Sequence, residues 1–271
     1  MSRKLIVATC QHPVSADIKK NLDYLKRFIR QSVQKGADII HFSECNLSGY
    51  AGEDFKSLNG RPESLLEQSF EKVKKLAADF KVHVIVGRHY YGKGKKKPFN
   101  SLFVIDDSGK VIHRYDKRYL MGGPEEVEQL HYSLGEKPLT FTIKDVKCGL
   151  LICHEWRYPE FYREYKKMGV ELIFQSWYDG NYSSAKFKKE GKTLGEVIVG
   201  TIRSMAANNA LWISASNTSM KESNFASFVI RPDGLILSKH KRNVAGVTIT
   251  GIEPDKKYND PSEYWRTLLL R

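Results

Sequence analysis

The strongest constraint on the fold is an internal repetition. FVIDDSGKVI (Phe103–Ile112) and FVIRPDGLIL (Phe228–Leu237) are near copies, each with an apolar strand, an acid–glycine turn and a second apolar strand. This pattern predicts one β-hairpin in each half of the chain. Each half also contains strand–helix units. The repetition therefore predicts an α/β protein with two similar mixed sheets, packed face to face in a four-layer α-β-β-α sandwich.

The strand–helix units are clearest in the first half. Leu5–Thr9 is a short apolar strand, Asp17 is a predicted N-cap of an amphipathic helix, and Ala37–Phe42 is the next buried strand. A second helix begins at Pro62 and leads to a strand at Val82–Gly87. A strand–helix–strand order favours parallel strands joined by a crossover helix.

The second half repeats this alternation. Strands are predicted at Val146–Ile152, Val170–Gln175 and Leu211–Ser216, separated by helices from Pro159 and across roughly 194–209. We expect Ser176–Lys192 to form a polar, aromatic loop, and residues 252–271 to form a C-terminal tail without clear periodicity.

Composition limits the class of protein. A chain of 271 residues can form one domain spanning 1–271, and 41% hydrophobic with 28% charged residues is typical of a globular protein. No apolar run is long enough to span a bilayer, and the N-terminus lacks a signal-peptide pattern, so we expect a cytoplasmic protein without membrane attachment. Four cysteines without a CxxC pair predict free thiols and no structural zinc.

The net charge of +13 allows nucleic-acid binding as one interpretation. The lysines are scattered, however, and no nucleic-acid-binding motif accompanies them, which favours a basic surface that aids solubility. The one dense run, Lys93–Pro98, is predicted to be a solvated loop.

The stretch Val146–Glu160 carries a candidate nucleophile. Its apolar strand ends at Cys153, and Pro159 then opens a helix. A strand that ends at such a residue and turns sharply into a helix is how α/β enzymes expose a nucleophile. A free cysteine is also commonly a small buried hydrophobe, and this stretch alone leaves both interpretations open.

Three further ionisable residues stand at strand ends or just beyond them. Glu44 follows an apolar strand, Lys117 follows the first hairpin, and Glu128 lies in an acid-rich loop. Sites in open α/β sheets gather at the carboxyl ends of strands. Each residue alone is more often structural than catalytic, so the set is useful only if its members converge with Cys153.

Taken together, these pieces resemble the nitrilase superfamily of carbon–nitrogen hydrolases over nearly the whole chain. Any one motif is weak, but their order and spacing are specific. In chain order they are Phe42–Glu44, Gly49–Tyr50, Asn100–Ser101, Tyr115–Leu120, Cys153–Glu160, Gly169–Ile173 ahead of Trp177, Arg203, Asn209 and Pro232–Gly234.

The resemblance implies roles for individual residues. Glu44 corresponds to the general base, Lys117 to the oxyanion stabiliser and Cys153 to the nucleophile of the Glu–Lys–Cys triad. Family members carry a second glutamate at a fixed distance before a glycine, and Glu128 matches that distance to Gly135. The implied fold is the same α-β-β-α sandwich, and no metal or organic cofactor is implied.

The resemblance also implies a substrate pocket. Tyr50, Trp177 and the residues after the nucleophile are expected to border it: His154, Glu155, Trp156 and Arg157. Arg157 matches an arginine that lies near the substrate carboxylate in members acting on carbamoyl amino acids and ω-amides. A salt bridge from Arg157 to Glu155 or Glu160 is the structural alternative.

Departures from the family pattern bear on the substrate. Ser43 replaces the usual proline before the base, Asn208 replaces a frequent glutamate, and His154 is unusual after the nucleophile. We expect hydrolysis of a small amide or N-carbamoyl compound. Nitrile hydrolysis is the runner-up because the run from Cys153 lacks the asparagine of true nitrilases. A catalytically idle binding or assembly protein is the third possibility.

The expected partners are a small amide substrate and a second copy of the chain. The resemblance implies at least a homodimer, with the late helices and the 252–271 tail at its interface. Its aromatic segment, Tyr258–Leu270, is consistent with docking on another surface.

Overall fold

Two six-stranded sheets pack face to face in the computed structural model, which describes residues 3–258 and 260–270. The first sheet has the order β12-β1-β2-β3-β4-β5 and the second β11-β10-β9-β8-β7-β6. The first contains β1 (Leu5–Gln11), β2 (Ile39–His41), β3 (His83–Tyr90), β4 (Phe99–Ile105), β5 (Val111–Asp116) and β12 (Gly246–Ile252). The second contains β6 (Thr140–Ile143), β7 (Val146–Ile152), β8 (Leu172–Ser176), β9 (Trp212–Ser216), β10 (Phe228–Ile230) and β11 (Ile236–Lys239).

The predicted mixture of parallel and antiparallel pairs is confirmed in both sheets. β1, β2 and β3 are parallel neighbours, as are β7, β8 and β9, and the rest of each sheet is antiparallel. Both repeated hairpins form, as β4–β5 and β10–β11. The last long strand, β12, returns to pair with β1 over its full length, from Leu5↔Ile252 to Gln11↔Gly246.

Helices cover the outer faces, as the sandwich prediction requires. The elements are α1 (Ile18–Gln34), α2 (Glu63–Phe80), α3 (Pro159–Lys167), α4 (Ser184–Lys186), α5 (Lys192–Asn209) and α6 (Glu263–Leu269). Asp17 caps α1, and its carboxylate accepts from the backbone N–H groups of Lys19 and Lys20. One apolar cluster packs α1 and α2 on the first sheet, and another packs α3 and α5 on the second. A third fills the space between the sheets.

Two segments differ from the sequence prediction. The predicted loop Ser176–Lys192 contains α4 and a single π-helical turn, Phe187–Gly191, which runs directly into α5. The tail predicted to lack periodicity contains α6, whose Ser262 N-cap makes no side-chain hydrogen bond. Both are short helical pieces, too short for hydrophobic periodicity to identify. Within the described part of the chain, none of the helices has the length and apolarity to span a bilayer.

Candidate active site

Glu44 lies three residues beyond the end of β2 and is fully buried. Its Oε1 accepts from Nδ2 of Asn100 at 2.7 Å and from Nζ of Lys117 at 2.9 Å. Its Oε2 accepts from the backbone N–H of Tyr178 at 3.0 Å. The backbone N–H of Glu44 in turn donates to the carbonyl of Trp177, so this carboxylate is held by both sheets.

Lys117 is the first residue after β5, and its side chain has no exposed surface. Its Nζ lies 2.9 Å from Glu44 and 2.8 Å from Oε1 of Glu128. Its backbone is also fixed, because its N–H donates to the carbonyl of Asn100 and its carbonyl accepts from the N–H of Gly135. A Cβ on Gly135 would overlap the carbonyl oxygen of Asp116, so this close approach requires glycine.

Glu128 lies on a single 3₁₀ turn, Val127–Leu130, and is also buried. Its Oε2 accepts from the backbone N–H of Met121 at 2.5 Å. Its Oε1 faces Lys117 and accepts a longer hydrogen bond from Asn100, at 3.3 Å. Asn100 thus donates to both carboxylates, and Lys117 lies between them.

Cys153 follows the last residue of β7 and begins a short 3₁₀ turn, Cys153–Arg157. Its φ of 41° is in the left-handed region, which side chains other than glycine rarely adopt. Such strain persists only where the surroundings enforce it, and it is common at functional sites. The sharp turn from strand to helix confirms the local geometry predicted for this stretch.

The electrostatics of the cluster follow from burial. Burial raises the pKa of Glu44, and Lys117 opposes that shift. For Lys117, burial disfavours the charged form, but the charges of Glu128 and Glu44 outweigh it and raise the pKa well above its usual value. Burial and the charge of Glu44 raise the pKa of Cys153, whereas Lys117 and a hydrogen bond from the backbone of Tyr178 lower it.

A cavity of about 300 Å³ opens over Cys153 and Lys117. We call it the Cys153 cavity. Five of the six residues predicted to border the substrate pocket line it: Tyr50, His154, Trp156, Arg157 and Trp177. Glu44 and Glu128 are not among its lining residues. The cavity wall also includes Met121, Tyr178, Asp179, Tyr182, Leu194 and Ile198, with the charged residues Glu53, Lys186 and Glu190.

The family follows from a comparison of the whole chain with known proteins. Residues 6–258 match the profile described as carbon-nitrogen hydrolase. The chain belongs to the carbon–nitrogen hydrolase family. This confirms the resemblance drawn from the motifs.

Individual relatives of this hydrolase-family chain are distant. It is 28% identical over 182 residues to an N-carbamoylputrescine amidase from Arabidopsis thaliana, covering 64% of this chain and 58% of that protein. It is 25% identical over 243 residues to an omega-amidase from Homo sapiens, covering 86% and 83%. The chain thus spans less than two thirds of the length of the plant relative.

A solved amidase from Nesterenkonia sp. shares the fold. The two structures have a TM-score of 0.78 at 16% identity, covering 99% of this chain and 97% of that one. A mutant of the same amidase has been solved in complex with butyramide. At this identity the likeness establishes the α-β-β-α sandwich and nothing finer.

One prediction about the nucleophile turn needs correction, and one alternative considered for it does not occur. Glu155 does not border the Cys153 cavity. It is fully buried and accepts from the backbone N–H groups of Ile152 and Arg118 and from the hydroxyl of Tyr115. The alternative salt bridge of Arg157 is absent from the ion pairs of residues 3–258 and 260–270. Its guanidinium instead stacks over the Trp156 ring at 4.5 Å.

Sequence reasoning missed two donors to the carboxylates. Asn100 was recognised only as part of a motif, although a carboxamide near the start of a largely apolar strand was available as a signal. Tyr178 contributes a backbone N–H, which leaves no trace in residue identity. Among the described residues, no group of three or more His, Cys, Asp or Glu could hold a metal ion.

Proposed function

We propose that this protein is a cofactor-independent hydrolase that cleaves the C–N bond of a small linear amide or N-carbamoyl compound. The observation that carries the proposal is the convergence of Glu44, Lys117 and Glu128 beneath a cavity lined by Cys153. A thiol, a buried ammonium and two carboxylates supply the groups that acyl transfer needs.

Glu44 is the general base. Attack on an amide carbonyl requires Cys153 to lose its proton, and a carboxylate whose pKa is raised by burial is a better acceptor near neutrality than an exposed one. The N–H of Tyr178 stabilises the thiolate as well as the carboxylate, since it lowers the pKa of Cys153 and donates to Glu44. The Cys153 thiol and the Glu44 carboxylate therefore exchange the proton beside the same backbone N–H, that of Tyr178.

Lys117 stabilises the oxyanion. When the Cys153 sulfur bonds to the carbonyl carbon, the oxygen becomes negative, and the nearby ammonium is already charged and desolvated. The backbone N–H of His154, in the first turn after the strand, is the second donor, because such N–H groups lack intrahelical partners. Glu128 keeps Lys117 in position through the 2.8 Å ion pair.

The reaction then proceeds in two halves. The C–N bond breaks, the nitrogen takes the proton held by Glu44, and ammonia departs. The acyl group remains bound to Cys153 as a thioester. A water molecule gives its proton to Glu44, and its oxygen attacks the thioester. The C–S bond breaks, Cys153 recovers the proton, and a carboxylic or carbamic acid is released.

The charged mouth of the Cys153 cavity supports a substrate with a polar end. Arg157 lines the cavity without an ion-pair partner among the described residues, and stacking on Trp156 leaves its N–H edge available for a carboxylate. Glu53 and Glu190 lie on the same wall and could receive a cation. The relatives above include an N-carbamoylputrescine amidase and an omega-amidase. These two names cover both alternatives, a substrate with a cationic end and a substrate with a carboxylate end.

A substrate panel tests the proposal. Purified protein is incubated with butyramide, a carboxylate-bearing omega-amide, N-carbamoylputrescine, an N-carbamoyl amino acid and a simple nitrile, and released ammonia is measured. We expect turnover of at least one amide or carbamoyl compound, abolished in Cys153→Ala and retained in Cys148→Ala. Turnover of the nitrile alone would establish the runner-up reaction.

An idle protein of the same fold would behave differently. Iodoacetamide labelling, followed by peptide mass spectrometry, compares Cys153 with the buried Cys10 and Cys148. We expect Cys153 to react fastest because only it lines the cavity. Equal labelling of the three thiols, together with no turnover, would contradict the enzymatic function.

A further inference from the structure

A buried polar chain crosses the space between the two sheets beneath the site. His41 is the last residue of β2 in the first sheet and has no exposed surface. Its Nδ1 lies 3.0 Å from Oγ of Ser214 on β9, and its Nε2 lies 3.0 Å from Oγ of Ser176 on β8. The ring packs edge-on against Phe174 between these contacts. An imidazole therefore links β2 to both central strands of the opposite sheet.

The direction of each hydrogen bond in this chain can be worked out. The Ser176 hydroxyl is 2.9 Å from the carbonyl oxygen of Phe42, which can only accept, so Ser176 donates there. Ser176 must then accept from His41, which places the imidazole proton on Nε2. Nδ1 is left as an acceptor for the Ser214 hydroxyl, whose oxygen can accept from Thr9 at 2.9 Å. Every member is satisfied with a neutral ring.

The neutral ring agrees with its surroundings. Burial lowers the pKa of His41 to about 3, so the imidazole carries no charge under ordinary conditions. Histidine in an interior is costly unless both nitrogens are paired, and here both are. His41 is nevertheless a polar residue at a position whose neighbours Ile39, Ile85 and Phe174 are apolar.

Through Ser176, His41 is connected to the segment that carries Glu44. Phe42, whose carbonyl Ser176 holds, is two residues before Glu44. The residues after Ser176 hold Glu44 directly: the Trp177 carbonyl accepts from the Glu44 N–H, and the Tyr178 N–H donates to Glu44 Oε2. The segments 42–44 and 176–178 are thus joined by three cross-sheet hydrogen bonds, and His41 fixes the first of them.

We propose that His41 and Ser176 are positioning residues, which hold the Glu44 carboxylate against Cys153 by joining the end of β2 to the end of β8. The proposal rests on the function proposed above, in which Glu44 is the general base. Neither residue lines the cavity or contacts the reacting atoms. Their effect is transmitted through the Phe42 carbonyl, and a displacement of the base by a fraction of an ångström is enough to slow proton transfer.

Ser216 provides a matched control for Ser176. The two residues are register partners on β8 and β9, and both are fully buried. Ser216 also donates across the sheets to a backbone carbonyl, that of Cys10, at 2.6 Å. The destinations of the two donated hydrogen bonds differ, because Cys10 lies on β1 and no described side-chain contact links it to Glu44. Ser176 also accepts from His41, whereas the Ser216 hydroxyl has no such donor among the described side chains. Removing either hydroxyl therefore deletes one cross-sheet bond to a backbone carbonyl, and only the Ser176 variant also breaks the link to His41.

The first experiment compares Ser176→Ala with Ser216→Ala, using kcat and KM for the best amide in the panel. We expect kcat to fall roughly tenfold or more in Ser176→Ala with little change in KM, and to stay within about twofold in Ser216→Ala. A second readout is the pH midpoint of Cys153 alkylation by iodoacetamide. Glu44→Gln lowers this midpoint, because the Glu44 charge raises the pKa of Cys153, and Ser176→Ala shifts it in the same direction.

Substitutions of His41 keep the proposal testable if Ser176→Ala does not fold. His41→Gln places an amide N–H near the position of Nε2 and retains the donor to Ser176, whereas His41→Asn reaches only the Nδ1 position. Near-wild-type kcat in the glutamine variant, with loss in the asparagine variant, supports the link. Equal kcat in both, or equal effects of the two serine variants, overturns it.

The two proposals can fail separately. If wild type turns over no amide, the proposed function fails, but the alkylation midpoints still report whether Ser176 positions Glu44. If wild type is active and the midpoint and kcat of Ser176→Ala match those of Ser216→Ala, the link is merely structural and the proposed function stands.

Discussion

Oε1 of Glu44 lies 2.9 Å from Nζ of Lys117, and neither side chain has any exposed surface. An ion pair removed from water gives up the hydration of both charges, which its mutual attraction recovers only when the remaining hydrogen-bonding groups are satisfied. Here they are satisfied by Asn100, Tyr178 and Glu128. The arrangement is therefore sensitive to the loss of any one member.

The pH dependence of activity should report on Glu44. As general base it must be ionised, and burial raises its pKa, so kcat/KM falls as pH drops through that raised value. We expect the acid limb to lie above about pH 4.3, the pKa of an unperturbed glutamate, with a midpoint that belongs to the coupled cluster. A pH–rate profile measures it. An acid-limb midpoint at or below the pKa of an unperturbed glutamate would contradict the assignment of Glu44 as general base.

Replacement of Lys117 should damage both stability and turnover. Lys117→Met leaves Glu44 and Glu128 buried without a cation, and breaking such a pair costs about 3–5 kcal/mol. Urea unfolding gives the free energy of unfolding, and ammonia release gives the activity. Lys110→Met, at an exposed turn residue, is the control and should leave both nearly unchanged. Wild-type stability in Lys117→Met would show that the carboxylates are already protonated.

Gly135 should tolerate no side chain. Its Cβ in Gly135→Ala would overlap the backbone of Asp116, one residue before Lys117, so the strand end must shift and carry Lys117 with it. We expect a loss of about 1–3 kcal/mol in stability and a fall in kcat. In Gly200→Ala, the new Cβ on α5 meets nothing within 4 Å, and stability should rise by about 0.4–1 kcal/mol. Thermal unfolding and turnover distinguish the two variants.

Glu155 should make stability depend on pH near neutrality. Burial raises its pKa from 4.5 to about 7, so between these values the folded protein binds more protons than the unfolded chain. The contribution of Glu155 to the free energy of unfolding therefore falls as pH rises through this window. Glu155→Gln removes that slope and costs about 1–3 kcal/mol, since an amide cannot accept all three donors.

Urea titrations at several pH values measure the Glu155 effect. Glu160→Gln, at an exposed residue in the first turn of α3, is the control and should retain the wild-type slope. A Glu155→Gln variant whose stability falls with pH as steeply as wild type would assign the slope to another group.

The C-terminal tail should mediate a homodimer. The family resemblance implies one, and α6 exposes Trp265 and Tyr264 at 67% each and Leu269 at 72%. Trp265→Asp should shift sedimentation from dimer to monomer, whereas Tyr91→Asp, at an exposed residue just beyond β3, should not. A monomeric wild-type protein at micromolar concentration would contradict the prediction.

Much of the sandwich could be predicted because local and global signals agree. Both acid–glycine hairpins form, and the Asp17 cap occurs where the sequence places it. The pairing of β12 with β1 carries no local signal, because contacts between remote segments depend on the whole fold. The turn before α5 and the helix α6 are too short to show a period.

The candidate site was predictable to a similar extent. Motif order brought together four residues that are far apart in sequence, and the ion pairs of Lys117 with Glu44 and Glu128 agree with that grouping. What connects them was not predictable. The Tyr178 N–H is a backbone group, and His41 looked like one polar residue in an apolar strand, where its partners on β8 and β9 leave no trace in the neighbouring sequence.

The pairing of β12 with β1 has a consequence for biosynthesis. A chain emerging from the ribosome releases β1 before the other strands of the sandwich, and it releases β12 only after β2 to β11. Until then, the edge of β1 that later pairs with β12 exposes unpaired backbone hydrogen-bonding groups. The nascent chain must therefore keep this edge of its first sheet from pairing with other strands until β12 emerges, and the first sheet is complete only then.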